Sequence, residues 1–175
     1  MAVFECRDWC FTYPEQATPA LNHVTFSLQE GEFLLLCGCS GCGKTTLLRQ
    51  LKPALSPHGT SSGQILFRGI PLQELSERDQ AFRIGFVMQN PDAQIVTDKV
   101  WHELAFGLEN LGTAQSAIRR RVAEMASFFG IEAWFDRPVS TLSGGQKQLL
   151  SLASIMVMQP EALLLDEQMC IRDSN

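Results

Sequence analysis

No stretch of this chain approaches the roughly eighteen consecutive apolar residues that a bilayer span needs. Nor does the opening Met1-Ala2-Val3-Phe4-Glu5-Cys6-Arg7-Asp8 set a long apolar segment behind a basic one, so it does not read as a secretory leader, and the expected compartment is the cytosol. Basic residues are in deficit. The 14 Lys and Arg against 19 Asp and Glu leave a net charge of −5, which disfavours non-specific nucleic-acid binding, an activity that wants a basic face. Paired zinc-type cysteines are missing too: Cys39 and Cys42 form one C-x-x-C, no second pair stands at metal spacing, and all six cysteines are expected reduced. There is no internal repeat and no low-complexity tract. What remains is an ordinary globular composition of 175 residues, 45% apolar and 19% charged, about one domain and long enough to bury a real core.

The stretch around which the chain is organised is Gly38-Cys39-Ser40-Gly41-Cys42-Gly43-Lys44-Thr45-Thr46. It fits G-x-x-x-x-G-K-[ST], a loop that joins a strand to a helix and cradles phosphate. Its glycines allow turns that a Cβ forbids and let backbone N–H groups close on an anion. The helix that follows presents its positive end at the same place. Lys44 supplies a point charge for β- and γ-phosphates, and Thr45 a hydroxyl for Mg²⁺. A dinucleotide-binding turn does not fit, because the glycine spacing is not G-x-G-x-x-G. Cys39 and Cys42 occupy variable positions of the loop, where a metal would compete with the nucleotide for space. Oxidation of these thiols, which would block nucleotide entry, stays open as a separate reading.

Along the chain, residues 3–11 and 24–28 read as strands, and the apolar run 33–37 as a strand covered on both faces in a parallel sheet. Residues 44–52 read as a helix burying Leu47, Leu48 and Leu51 and stopped by Pro53. Residues 53–63 read as a surface loop, and 64–68 and 84–88 as strands with a short helix between them. Val100, Leu104, Leu108 and Leu111 form one helical stripe. Ser116 looks like the N-cap of a second helix that carries Ile118, Val122, Met125 and Phe129 and ends at Gly130. Residues from about 90 to 140 thus predict a small helical unit inserted in an α/β core. Trp101, Phe106 and Trp134 read as its core, with a partner-docking surface as the alternative. Arg119-Arg120-Arg121 reads as a solvated face. Leu142-Ser143-Gly144-Gly145-Gln146 opens a further helix, and Ala162-Leu163-Leu164-Leu165 is expected to be a buried strand ending on Asp166-Glu167. A carboxylate at the carboxyl end of such a strand is placed to hold Mg²⁺, and Glu167 to orient or deprotonate an attacking water.

Leu142-Ser143-Gly144-Gly145-Gln146, in its order behind the phosphate loop and ahead of the acidic strand end, resembles the signature of the ATP-binding cassette (ABC) ATPases. The resemblance covers residues 3 to about 167. It implies an α/β phosphate-loop NTPase core with an antiparallel β subdomain and an inserted α-helical subdomain, all within residues 1–167. It implies ATP and Mg²⁺ as ligands. Tyr13 would stack on adenine, unless it is an ordinary turn aromatic. Gly38, Cys39, Ser40, Gly41, Cys42, Gly43, Lys44, Thr45 and Thr46 would surround the triphosphate. Thr45, Gln89 and Asp166 would stand at the metal, with Glu167 and Gln89 as the catalytic residues. Ser143, Gly144, Gly145 and Gln146 open a helix with bare N–H groups and a hydroxyl. In the family that site meets the ATP of a second ATPase domain, in a head-to-tail homo- or heterodimer.

The runs Met88-Gln89-Asn90-Pro91-Asp92-Ala93-Gln94-Ile95-Val96 and Trp101-His102-Glu103-Leu104-Ala105-Phe106-Gly107 narrow the likeness. They are similar to the ATPases of energy-coupling-factor transporters, which import vitamins and transition-metal ions. That likeness implies a membrane subunit whose coupling helices enter a groove behind Gln89, and a peripheral place on the cytoplasmic face of the membrane. Leu149 stands where the commoner pattern has Arg, which resembles the subset linked to thiamine-precursor uptake. Past Glu167 the likeness ends. Residues 168–175 match no part of the family pattern, and His23, His58 and His102 all precede Asp166, so none is the family's switch histidine. The expectation is a chain cut short after the acidic strand, with its C-terminal part missing and an open apolar edge. A catalytically incomplete nucleotide-binding fragment and a non-transport ABC ATPase are the alternatives.

Overall fold

Strand β1 (Ala2–Thr12) explains why its own alternation looks imperfect. Phe4 and Cys6 point inward, then Trp9 and Phe11 do so in the opposite phase. Between them Asp8 takes φ +52, and the pairing of β1 slips on both sides, between Cys6 and Trp9 and between Arg7 and Cys10. A bulge adds one residue and so flips the faces. Here it keeps Phe4, Cys6, Trp9 and Phe11 all in the core. The computed structural model describes residues 1–166, which divide into two units, Met1–Ala81 and one that begins at Phe82.

In the first unit β1 is flanked by β2 (Leu21–Gln29) and β3 (Thr60–Phe67), with the short β4 (Ile70–Pro71) beyond, in the antiparallel order β2-β1-β3-β4. Phe4 meets Phe67 edge-on with ring centroids 5.0 Å apart, a geometry favoured by the ring quadrupoles. Strand β3 begins earlier than the composition of residues 59–63 predicts. Thr60, Ser61 and Ser62 pair with Thr12, Phe11 and Cys10, and exposed small polar residues serve as well as any once the backbone ladder is made. Gly63 has a specific duty there. It holds φ +91, and a Cβ on it would stand 2.3 Å from the carbonyl oxygen of Asp8 in the bulge opposite.

The apolar run 33–37 is not a strand. It runs without a ladder partner among the described residues, and Phe33 is 84% exposed. Apolarity alone makes no strand; a strand exists only where a neighbour takes up its backbone groups. Helix α1 (Lys44–Gln50) follows the phosphate loop and buries Leu47, with Leu51 buried at its end and Leu48 only half-buried.

Helix α2 (Glu77–Arg83) leads into the second unit, where β5 (Ile84–Val87) and β6 (Ala162–Leu165) form a parallel pair. A parallel pair needs a long crossover. This one contains α3 (Val100–Asn110), α4 (Gln115–Phe129) and α5 (Gly144–Met156). Val100, Leu104 and Leu108 of α3, Ile118, Val122 and Ala126 of α4, and Leu150 and Ala153 of α5 make one apolar core. Trp101 and Trp134 pack against that core, as their core reading expects, but Phe106 is 42% exposed. Gly85 lets α5 lie close on β5, since a Cβ there would meet Ile155 at 2.6 Å. Gly130 ends α4 with φ +65.

Two further expectations are corrected. Ser116 is not a cap: α4 starts one residue earlier, at Gln115, and the cap position is Ala114, whose carbonyl accepts from the N–H groups of Ala117 and Ile118. The tight end of α3, with Gly112 at φ +70 and the N–H of Thr113 returning to the Leu108 carbonyl, sets that start. Strand β6 is buried on one face only, with Leu163 and Leu165 exposed and β5 its single neighbour among the described residues. No helix among the described residues is long and apolar enough to cross a membrane.

Leu104→Ala is expected to cost about 2–5 kcal/mol in urea unfolding, since it empties a fully buried site. Phe106→Ala should stay within about 0.5 kcal/mol. A second expectation concerns pH. Burial pushes the Cys6 thiol up to about 11, partly offset by a hydrogen bond from the backbone of Trp9. Its contribution to stability is therefore complete below the unfolded thiol's value of about 8.5 and is lost as pH rises through about 11. In native alkylation at pH 9, Cys6 should stay unlabelled while the exposed Cys37, Cys39 and Cys42 react.

Candidate functional site

The phosphate loop is built from one tight turn and one left-handed glycine. The N–H of Cys42 donates to the carbonyl of Cys39 at 3.4 Å, with Gly41 at φ +81 inside the turn. Gly43 caps α1 at φ +95, and a Cβ on it would stand 2.7 Å from the carbonyl oxygen of Ala20. Neither conformation suits an L side chain. Lys44 Nζ curls back over the loop and donates to the carbonyl oxygens of Gly38 and Cys39, both at 2.8 Å. Residues 38–42, Ser40 among them, are exposed. Tyr13 reaches the same place, its hydroxyl 2.9 Å from Thr46 Oγ1 and its ring edge-on to Phe11. The first unit thus gathers Tyr13, the loop glycines, Lys44, Thr45 and Thr46 around one exposed loop, with the Lys44 ammonium folded onto it. That donor set fits a phosphate chain, and the Thr45 hydroxyl fits a hard cation beside it.

In the second unit, the parallel register pairs Val87 with Leu165. Gln89 and Asp166 therefore leave the sheet at the same carboxyl edge. Asp166 is 9% exposed, and its N–H donates to the Val87 carbonyl at 2.9 Å. Gln89 is exposed. Glu167 lies outside the described residues. The loop carrying Gln89 is held by residues that motif reading passed over. Gln94 accepts from the N–H of Met88 at 2.8 Å and donates to the Phe86 carbonyl at 3.3 Å. Asn90 accepts from the N–H of Asp92, and Asp92 pairs with Lys147 at 2.6 Å. The buried Glu103 accepts from the N–H groups of Val96 and Thr97 and from the Thr97 hydroxyl. Of these, Asn90, Asp92, Gln94 and Glu103 lie within the two runs that carry the resemblance, but a side chain that serves its own backbone leaves no spacing signal. Nothing in the sequence joins Lys147 to Asp92.

Helix α5 opens on a complete capping box. The N–H of Gln146 donates to Ser143 Oγ at 3.3 Å, and the N–H of Ser143 donates to Gln146 Oε1 at 2.9 Å. Gly144 and Gly145 follow directly, and a Cβ on either would meet nothing within 4 Å. Nothing in the described structure requires a glycine at these two places.

A glycine-turned anion cradle running into a helix, and a parallel sheet edge bearing Asp166, define a phosphate-loop nucleotide-binding protein of the α/β class. The family model for ABC transporters matches residues 21–169, and the chain belongs to that family. A putative ABC transporter ATP-binding protein of Bacillus cereus is 47% identical over 167 residues, which are 95% of this chain and 30% of that protein. The energy-coupling factor transporter ATP-binding protein EcfA1 of Lacticaseibacillus paracasei is 39% identical over 163 residues, 93% of this chain and 58% of that one. Among solved structures, cbiO1 from Clostridium perfringens, part of the ABC transporter complex cbiONQ, matches with a TM-score of 0.82 and 32% identity, over 95% of this chain and 65% of its own. The fold is that of the ABC ATPases. The chain thus spans about a third of the first of these relatives.

The idle glycines yield a test of the fold alone. Gly145→Ala should stabilise the chain by about 0.5–1 kcal/mol in urea unfolding, because alanine is the better helix former and the space is open. A loss of stability would mean that packing demands the glycine after all.

Proposed function

We propose that this chain is the ATP-binding and ATP-hydrolysing part of an importer of the energy-coupling-factor kind, driving uptake of a vitamin or metal ion. The reading rests most on Gly144 and Gly145. Glycine is a poorer helix former than alanine, by up to about 1 kcal/mol in a helix interior, and nothing among the described residues requires the two glycines at these places. They make sense where something outside the chain closes on the bare N–H groups, and the triphosphate held by a second ATPase domain has the right charge. Ser143 and Gln146 rigidify that start through the capping box.

In this reading Tyr13 stacks on adenine, and the amides of residues 38–46 and Lys44 enclose the phosphates. Lys44 exchanges the carbonyls of Gly38 and Cys39 for phosphate oxygens. Thr45, Gln89 and Asp166 would offer oxygen donors to Mg²⁺, which would supply positive charge against the phosphates. Glu167, with Gln89, orients the attacking water. Residues 1–167 form the ATP-binding domain, and about 90–140 its helical subdomain. A cleft lined by Asp92, Ile95, Thr97, Lys99, Val139 and Lys147 opens beside the loop that carries Gln89. It is a suitable groove for a membrane subunit's helix, and in this proposal the chain sits on the cytoplasmic face of the membrane. The likeness to EcfA1 supports the importer reading.

Lys44→Ala should remove ATP binding and hydrolysis together. Glu167→Gln should slow phosphate release by about 10²–10⁴-fold, the usual worth of a general base, while ATP stays bound. Both are read by phosphate release and by equilibrium binding of labelled ATP. Unchanged turnover in Lys44→Ala would refute the proposal.

A further inference from the structure

The phosphate loop carries two thiols, and its turn sets them at disulfide range. Cys39 to Cys42 is a single turn closed by the hydrogen bond from the Cys42 N–H, with Gly41 at the third position in the positive-φ conformation a type II turn requires. Such a turn holds its end Cα atoms within about 7 Å, and disulfides span Cα separations of about 4.4–6.8 Å. The Cys42 sulfur is folded back toward the start of the turn: a Cβ on Gly38, the neighbour of Cys39, would stand 2.7 Å from it. Lys44 Nζ lies 3.7 Å from this sulfur and 2.8 Å from the carbonyl oxygen of Cys39, so one ammonium touches both ends of the turn. Both thiols are exposed. The other described cysteines are placed differently. Cys6 is buried, Cys10 accepts from the N–H of His23, and Cys37 stands ahead of the turn.

We infer that Cys39 and Cys42 are a modification site, forming a reversible disulfide that shuts the phosphate loop to nucleotide when a peroxide oxidises them. The Cys42 sulfur attacks one peroxide oxygen, the O–O bond breaks, the thiol proton leaves with the departing oxygen as water, and a sulfenic acid remains. The Cys39 sulfur then attacks the Cys42 sulfur. Its S–O bond breaks, and a second water leaves with the Cys39 proton. Two thiols lose two electrons, and one hydrogen peroxide becomes two waters. The new bond ties residue 39 to residue 42 across the segment whose N–H groups must spread around an anion. It also keeps Lys44 on the loop's own carbonyls. This inference rests on the nucleotide reading of the loop.

The whole chain is treated with hydrogen peroxide, alkylated, and cleaved after Glu32 and Lys44, which isolates a peptide of residues 33–44 with Cys37, Cys39 and Cys42. Mass analysis should find one alkyl group, on Cys37, and two hydrogens fewer than the dithiol. Dithiothreitol before alkylation should restore three alkyl groups. ATP affinity, read by displacement of a fluorescent ATP analogue, should fall at least about tenfold on oxidation and recover on reduction. Three alkylated cysteines after peroxide, or a bond made by Cys37, overturns the inference, as does a Cys39–Cys42 bond that leaves affinity unchanged. If the reduced chain binds no ATP, the nucleotide reading fails and the gating with it, even where the mass shows the bond.

Discussion

The second unit depends on one ladder, the parallel pairing of β5 with β6. Parallel neighbours cannot be joined by a hairpin, so the chain between them must leave the sheet and return. It returns as three helices around a shared core. The same ladder runs in register from Ile84 with Ala162 to Val87 with Leu165, and so delivers Gln89 and Asp166 to one edge. The ladder is closed at its other end by Arg83 and Glu161, 78 positions apart, whose side chains form a two-point ion pair and whose backbones are hydrogen-bonded. Fold and candidate chemistry are consequences of one register. A slip by a single residue would turn the buried face of β6 outward and move the acidic end out of line.

Glycine is the second thread, and it divides into two kinds. Gly43, Gly63 and Gly85 are demanded from inside, by the Ala20 carbonyl, the Asp8 carbonyl and the Ile155 side chain. Gly144 and Gly145 are demanded by nothing among the described residues. The distinction is physical and needs no comparison of relatives. A glycine that a neighbour would clash with belongs to the fold. A glycine in open space at a rigid, well-capped helix start adds nothing to the packing of the described residues.

What the sequence made legible follows the same line between local and distant causes. The phosphate loop, the opening of α5 and the end of α4 at Gly130 were readable because turn and cap chemistry acts over a few residues. The helical stripe of Val100, Leu104 and Leu108 was readable because burial repeats with the helix period. The run 33–37 misled, since hydrophobicity records a wish for burial and says nothing about which strand lies alongside. The early start of β3 was hidden because its exposed Thr60, Ser61 and Ser62 are held through backbone alone. At the candidate site, the glycines, Lys44 and Thr45 of the loop were evident from the motif, whereas the Gln94 clamp and the Asp92–Lys147 pair were not.

Those two unpredicted contacts differ in what they contribute. Lys147 is 20% exposed in its side chain and Asp92 is 66% exposed, so water screens the pair, and an ion pair of this kind is worth at most about 1 kcal/mol. It does not hold α5 in place; the core around Leu150 and Ala153 does that, at several kcal/mol for each large side chain removed. What the pair does is aim. A weak bond between two firmly mounted parts still selects one rotamer at each end. One end is the first turn of α5, beside the capped Ser143, and the other is the loop that Gln94 clamps just past Gln89. Rigid packing supplies the mounting, local hydrogen bonds supply the loop's shape, and the weakest interaction of the three links the start of α5 to the loop that carries Gln89.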